Sequence, residues 1–159
     1  MPADDRILRD NLIEFLRGGS AHIDFQSAQK DFPPDFYGKK PKGTPYSAWQ
    51  LLEHLRIALR DILEFCINPK YIAPEWPKDY WPETEAPPSA DAWKASVKAI
   101  QEDIAAFEKL AGDPGSNLYA QIPWGDGQTL LREVLLAGDH NSYHLGQLVM
   151  LRKQLEEAR

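Results

Sequence analysis

A single cysteine, Cys66, stands in 159 residues, so no intrachain disulfide can form and a reducing, cytoplasmic setting is expected. Cys66 lies in the apolar string LEFCIN with no basic neighbour, the setting of a buried structural thiol rather than a low-pKa nucleophile. Basic runs are missing too: 18 Lys and Arg stand against 24 Asp and Glu, a net charge of −6. Nucleic-acid binding needs a concentrated basic surface to displace counterions, so no DNA or RNA partner is expected. No apolar stretch approaches the roughly 20 residues that cross a bilayer. The opening MPADDRILRDNL lacks the apolar centre of a secretory signal, and no membrane partner is expected. Neither G-x-S-x-G nor a P-loop nor a dinucleotide fingerprint occurs, so no serine nucleophile can be nominated. Histidine is scarce, with four in the chain, and this makes their positions informative.

What is present is helical periodicity. The first helix is read from about Asp4 to Leu16, with Ile7, Leu8, Leu12, Phe15 and Leu16 on one side, and Gly18-Gly19 punctuates it. The second begins at Ser47, which with Gln50 three residues on fits a capping box, and stops before Asn68-Pro69. Ser89 caps the third, in which Trp93, Val97, Ile100, Ile104 and Phe107 recur at helical spacing. The fourth is read as starting near Asp126-Gly127. No stretch alternates with period two. The expected class is therefore all-α, a four-helix bundle forming one domain over 1–159. A short connection between the last two helices and a long one between the second and third permit a crossover topology.

His140 and His144 stand four residues apart on the fourth helix, so their side chains share a face and can chelate one ion. His54 lies on the second helix with Leu51, Ala58 and Phe65 on its face, so all three imidazoles can point inward at similar depth. The bland alternative is that a lone inward histidine is a hydrogen-bonded core residue and that surface helices also produce i,i+4 pairs. Three neutral imidazoles suit Zn, Ni, Cu or Fe over Mg or Ca. Three protein ligands also leave a coordination position open, as in catalytic sites.

The strings YSAWQLLEHLRIALRDILEF and TLLREVLLAGDHNSYHLGQLVMLRK, with their W-x-x-L-x-H-L and D-H-N-x-Y-H-x-G-Q patterns, resemble the two histidine-bearing helices of the DinB/YfiT-like superfamily of metal-dependent four-helix bundles. The similarity is strong in these two segments and weak elsewhere. It implies a crossover bundle, one divalent transition metal (nickel or zinc) held by His54, His140 and His144, and a homodimer. Branches of the superfamily imply thiol-linked transfer acting on a small-molecule substrate. Metal-assisted hydrolysis is the enzymatic alternative, and a non-catalytic metal- or ligand-binding, stress-related protein is the alternative of another class.

Other residues carry weaker expectations. His22, after the Gly18-Gly19 break, reads as a surface residue or part of the cavity mouth. Asp61 returns to the His54 face two turns later, either as an acceptor supporting a ligand histidine or as an Arg-paired surface acid. Glu133 reads equally as a solvated charge, Asn141 as a side chain bonded to backbone, and Tyr143 and Gln147 as members of a polar network. Metal should raise the melting temperature at neutral pH, with the gain fading below about pH 6. The segment from Pro69 to Pro88 holds six prolines and two tryptophans. Because it leaves from the far end of the His54 helix, it is expected to cover the bundle or build a dimer contact, with Trp76 and Trp81 remote from the ion. The loop from Asp31 to Tyr46, with Phe32, Phe36 and Tyr37, is expected to rim the open metal position.

Overall fold

The computed structural model describes residues 3–158. The helices are α1 (Ala3–Arg17), the short α2 (Phe25–Gln29), α3 (Ala48–Ile67), α4 (Ala90–Gly112) and α5 (Leu130–Glu157), with single 3-10 turns at Pro34–Phe36 and Lys78–Tyr80. Among the described residues there is no strand, only an isolated bridge between Gln121 and Thr129. No described helix is long and apolar enough to cross a membrane.

The helix ends follow local chemistry. Ser47 and Gln50 form the reciprocal capping box that starts α3, and Ser89 caps α4 through the Ala92 N–H. Gly18, at φ 69°, takes the left-handed conformation that stops α1 and favours glycine. The start of α5 differs from expectation. Ile122 N–H donates to the Gln128 carbonyl at 2.8 Å, so residues 121–129 close a tight turn, with Gly127 at φ 105°. The backbone is occupied there, and Thr129 becomes the cap, accepting from the Arg132 N–H.

Side-chain pairs give the helix directions. Glu53 meets Ser96 and Arg60 meets Asp103, so α3 and α4 run parallel. The Trp124 indole, just ahead of α5, donates to the Phe65 carbonyl near the end of α3, so α3 and α5 are antiparallel. Arg17 at the end of α1 pairs with Glu108 of α4, while Arg9, nearer its start, donates to the carbonyls of Ala111, Asp113 and Ser116 beyond it. These helices are therefore antiparallel. Each of α1 and α3 packs on both α4 and α5, and Leu52, Leu55, Leu59, Ile100, Phe107, Val134 and Leu148 fill the centre. Truncating one such side chain costs about 2–5 kcal/mol.

The parallel pair corrects the expected course of the proline-rich segment. A 20-residue helix is about 30 Å long, and α4 begins beside the start of α3. Residues 68–89 must therefore travel back along the whole length of α3. They pass His54 on the way.

The first part of the loop from Asp31 to Tyr46 is also placed differently. Phe32, Phe36 and Tyr37 are buried, and Tyr37 stacks on Trp93 of α4 with ring centres 3.9 Å apart. That aromatic area closes the end of the core, while the end of the loop, Thr44 to Tyr46, lines a groove with Leu51 and Gln147. Arg152 of α5 holds the first part in place through the carbonyls of Lys30 and Asp31.

Candidate metal centre

His54 projects from α3, and His140 and His144 from α5, where the antiparallel helices meet. One ring nitrogen of each lies within 4.8 Å of the others. His54 Nε2 is 3.1 Å from His144 Nε2 and 3.2 Å from His140 Nε2. His54 and His144 are 2% and 8% exposed, and His140 is half-buried.

The outward nitrogens decide which tautomers are present. His54 Nδ1 faces the Tyr80 carbonyl at 2.9 Å, an acceptor only, so it must carry the proton. His144 Nδ1 faces Gln147 Oε1 at 2.7 Å and is the donor there. A neutral imidazole carries one proton, so the facing Nε2 atoms of His54 and His144 both present lone pairs. Two lone pairs 3.1 Å apart repel unless a cation lies between them. The donor set thus fits a transition-metal ion. His140 adds a third Nε2, while its Nδ1 is buried without a partner among the described residues.

Burial and mutual repulsion hold the rings neutral, the ligating form. Burial first, then His144 and His54, pushes His140 down to about 4. Burial also lowers His54, partly opposed by the Tyr80 carbonyl, and His144, partly opposed by Gln147. No carboxylate contributes to any of the three shifts.

The proline-rich segment forms one wall of the site, contrary to the remote position expected of it. Trp81 stacks flat on His54, and Trp76 meets the same ring edge-on at 6.4 Å. Asp61 ties this segment down: its carboxylate accepts from the Tyr80 hydroxyl at 2.5 Å and the Tyr71 hydroxyl at 2.6 Å. Burial and that carboxylate raise both phenol pKa values. Asp61 therefore supports His54, but through Tyr80 rather than by touching the ring.

The remaining candidates separate. Gln147 joins the site through His144, and Tyr143 packs edge-on against His144 at 4.8 Å. His22 is exposed and lies between the Ile23 carbonyl and Ser142 Oγ, apart from the triad. Glu133 is buried and paired with Arg132 at 2.6 Å, not solvated. The Asn141 amide is buried without a partner among the described residues, rather than bonded to backbone. Cys66 is pushed up to about 12, by burial and then by Glu133, which makes it an inert thiol. Tyr80 and Trp81 escaped sequence reasoning as site residues. The signal that points to them is the parallel α3–α4 pair, which forces their segment past His54.

A model of the DinB superfamily matches residues 21–148, which takes in all three histidines. No curated protein and no solved structure matches the chain.

Proposed function

The chain belongs to the DinB superfamily, and on that premise we propose that it binds one divalent transition-metal ion through His54, His140 and His144 and acts as a metal-dependent enzyme of thiol-linked transfer or hydrolysis. The observation that carries the metal reading is the approach of the His54 and His144 lone pairs, each fixed by an acceptor behind its ring. Three imidazoles favour zinc or nickel over magnesium or calcium. The chemistry supplied there is Lewis acidity, which lowers the pKa of a coordinated water or thiol. The chain's own residues hold and orient: the Tyr80 carbonyl and Gln147 keep Nε2 free on two rings, and Trp81 keeps water from the His54 face.

A second reading has its own support. Among the described residues, the ring contacts and hydrogen bonds to the triad include no carboxylate and no lysine, so no general acid or base is bonded to it. That favours a non-catalytic metal- or ligand-binding protein. A homodimer belongs to the proposal through the family resemblance, and Leu135, exposed on α5, is among the apolar side chains such a contact would cover. A sedimentation mass of one chain would remove the dimer.

The test of the metal is elemental analysis of untagged protein after equilibration with zinc or nickel. One ion per chain is expected, falling toward zero in His140→Ala and His144→Ala. Unchanged stoichiometry and affinity in both variants would overturn the assignment.

A further inference from the structure

We infer that the ligand of this centre is a small molecule in which an anionic donor atom is joined to an uncharged, flat or chain-like apolar body. The inference rests on the metal reading above and names the substrate class of the same site. Charged residues make up 26% of the chain. Yet among the described residues the aromatic and hydrogen-bonding side chains that other positions bring against the three rings are Trp76, Trp81, Tyr143 and Gln147, all uncharged.

Two of these stand out in solvent: Trp76 is 67% and Tyr143 64% exposed. Trp76 reaches His54 from the proline-rich segment, and Tyr143 reaches His144 from α5, so the triad is flanked on two sides by bare aromatic surface. Aromatic rings left in water beside a buried polar cluster are surface that an apolar ligand would cover favourably.

The apolar character continues one helical turn farther, toward the start of α3 and the end of α5. A groove of about 230 Å³ lies there, its walls including Tyr46, Leu51, Met150 and Leu151, with no charged residue among the side chains that line it. It borders the triad at two points. Gln147 lines the groove and accepts from His144, and Tyr46 lines it and stacks on Trp81. Thr44, Gln147 and Gln154 are the polar side chains among its walls.

Charge completes the class. Three neutral imidazoles leave the two positive charges of a divalent ion uncompensated, so an anionic donor is favoured over a neutral one in this half-buried setting. Nothing on the walls pairs with further anionic groups: no Arg or Lys offers the fork or point charge that phosphates and polycarboxylates require. The walls select one anionic head and an otherwise uncharged body.

Hydroxamic acids test this, because the metal-binding head stays constant while the body varies. Binding of acetohydroxamic, benzohydroxamic and octanohydroxamic acids to zinc-loaded full-length protein is measured by calorimetry, with zinc retention checked alongside. The benzo and octano compounds should bind at least tenfold more tightly than the aceto compound, since each buried methylene is worth about fourfold. In Trp76→Ala and Tyr143→Ala, compared at full zinc occupancy, that preference, read as the ratio of affinities, should shrink severalfold. Equal affinity for all three acids would overturn the inference and leave the metal reading standing. No binding by protein that retains its zinc would overturn the inference alone. Zinc that is not retained, or binding that is the same without zinc and in His140→Ala, would overturn the metal reading and the inference with it.

Discussion

Trp81 lies flat on the imidazole of His54, with ring centres 4.0 Å apart and planes within 1°, and Tyr46 stacks on Trp81 at 3.9 Å. Two layers of this three-ring stack, Trp81 and Tyr46, come from separate loops, so His54 on its helix is oriented by residues that are not helical. Removing Trp81 frees the His54 ring to tilt. Trp81→Ala should therefore lose about 10–100-fold in zinc affinity, and Trp76→Ala less, because Trp76 meets the ring only at its edge. Competition with a chromophoric chelator measures both. Wild-type affinity in Trp81→Ala would show that the proline-rich segment merely covers the bundle.

Asp61 anchors the same segment through the hydroxyls of Tyr71 and Tyr80. Bonds to a charged acceptor contribute about 1.5–3 kcal/mol each. Asp61→Ala should lower stability by that order and weaken zinc binding. Tyr71→Phe should cost stability with a smaller effect on zinc, because Tyr71 does not reach His54. Denaturation and metal titration of the two variants separate the effects, and equal losses of zinc affinity would contradict the proposed route through Tyr80.

Acid should destabilise the metal-free protein in a defined window. In the folded chain His140 is pushed down to about 4, and His54 and His144 are lowered as well. The unfolded chain titrates near 6.5. As pH falls below that value the unfolded state takes up protons first, so stability is present above it and is lost down to about pH 4, with no further loss from His140 below. The contribution of His140 is on the order of 2 kcal/mol after allowance for solvent screening. Melting curves of His140→Gln should be flatter across this range. For the same reason, stabilisation by bound metal should persist below the pH of about 6 expected from free imidazole, and a gain that vanishes at pH 6 would count against buried, neutral ligands.

Gly138 lets α1 approach α5 just ahead of His140, because a methyl group there would overlap the Phe15 ring. Gly138→Ala should cost about 1–3 kcal/mol through overpacking. Adding Phe15→Ala should recover part of that loss, giving a favourable coupling in a denaturant double-mutant cycle. Additive losses would mean the helices do not meet at this pair.

Much of this architecture was legible because its signals are local. The Ser47–Gln50 box, the Ser89 cap and the four-residue step from His140 to His144 are each contained within one turn of helix, and the structure forms all of them. The course of residues 68–89 was not legible, because it depends on α3 and α4 running parallel, a relation between positions 43 residues apart such as Glu53 and Ser96. Arg9 was equally silent. Its buried guanidinium binds the carbonyls of Ala111, Asp113 and Ser116, and a carbonyl is common to every residue type. The start of α5 was placed near Asp126-Gly127, a few residues early, because those residues belong to the turn before the helix.

The bond from His54 to Tyr80 has a consequence for genetics. Its acceptor belongs to the peptide backbone, so every amino acid placed at position 80 supplies the same oxygen. An alanine scan would report on the Tyr80 hydroxyl and leave the carbonyl unprobed. Variation at this contact acts through spacing as well as through the side chains that anchor it. One residue inserted or deleted between Pro77 and Trp81 would shift the oxygen away from His54, whereas a point substitution at Tyr80 keeps the oxygen in the chain and loses only the hydroxyl that Asp61 holds. Length is thus a constraint on this short stretch that no side-chain scan would reveal.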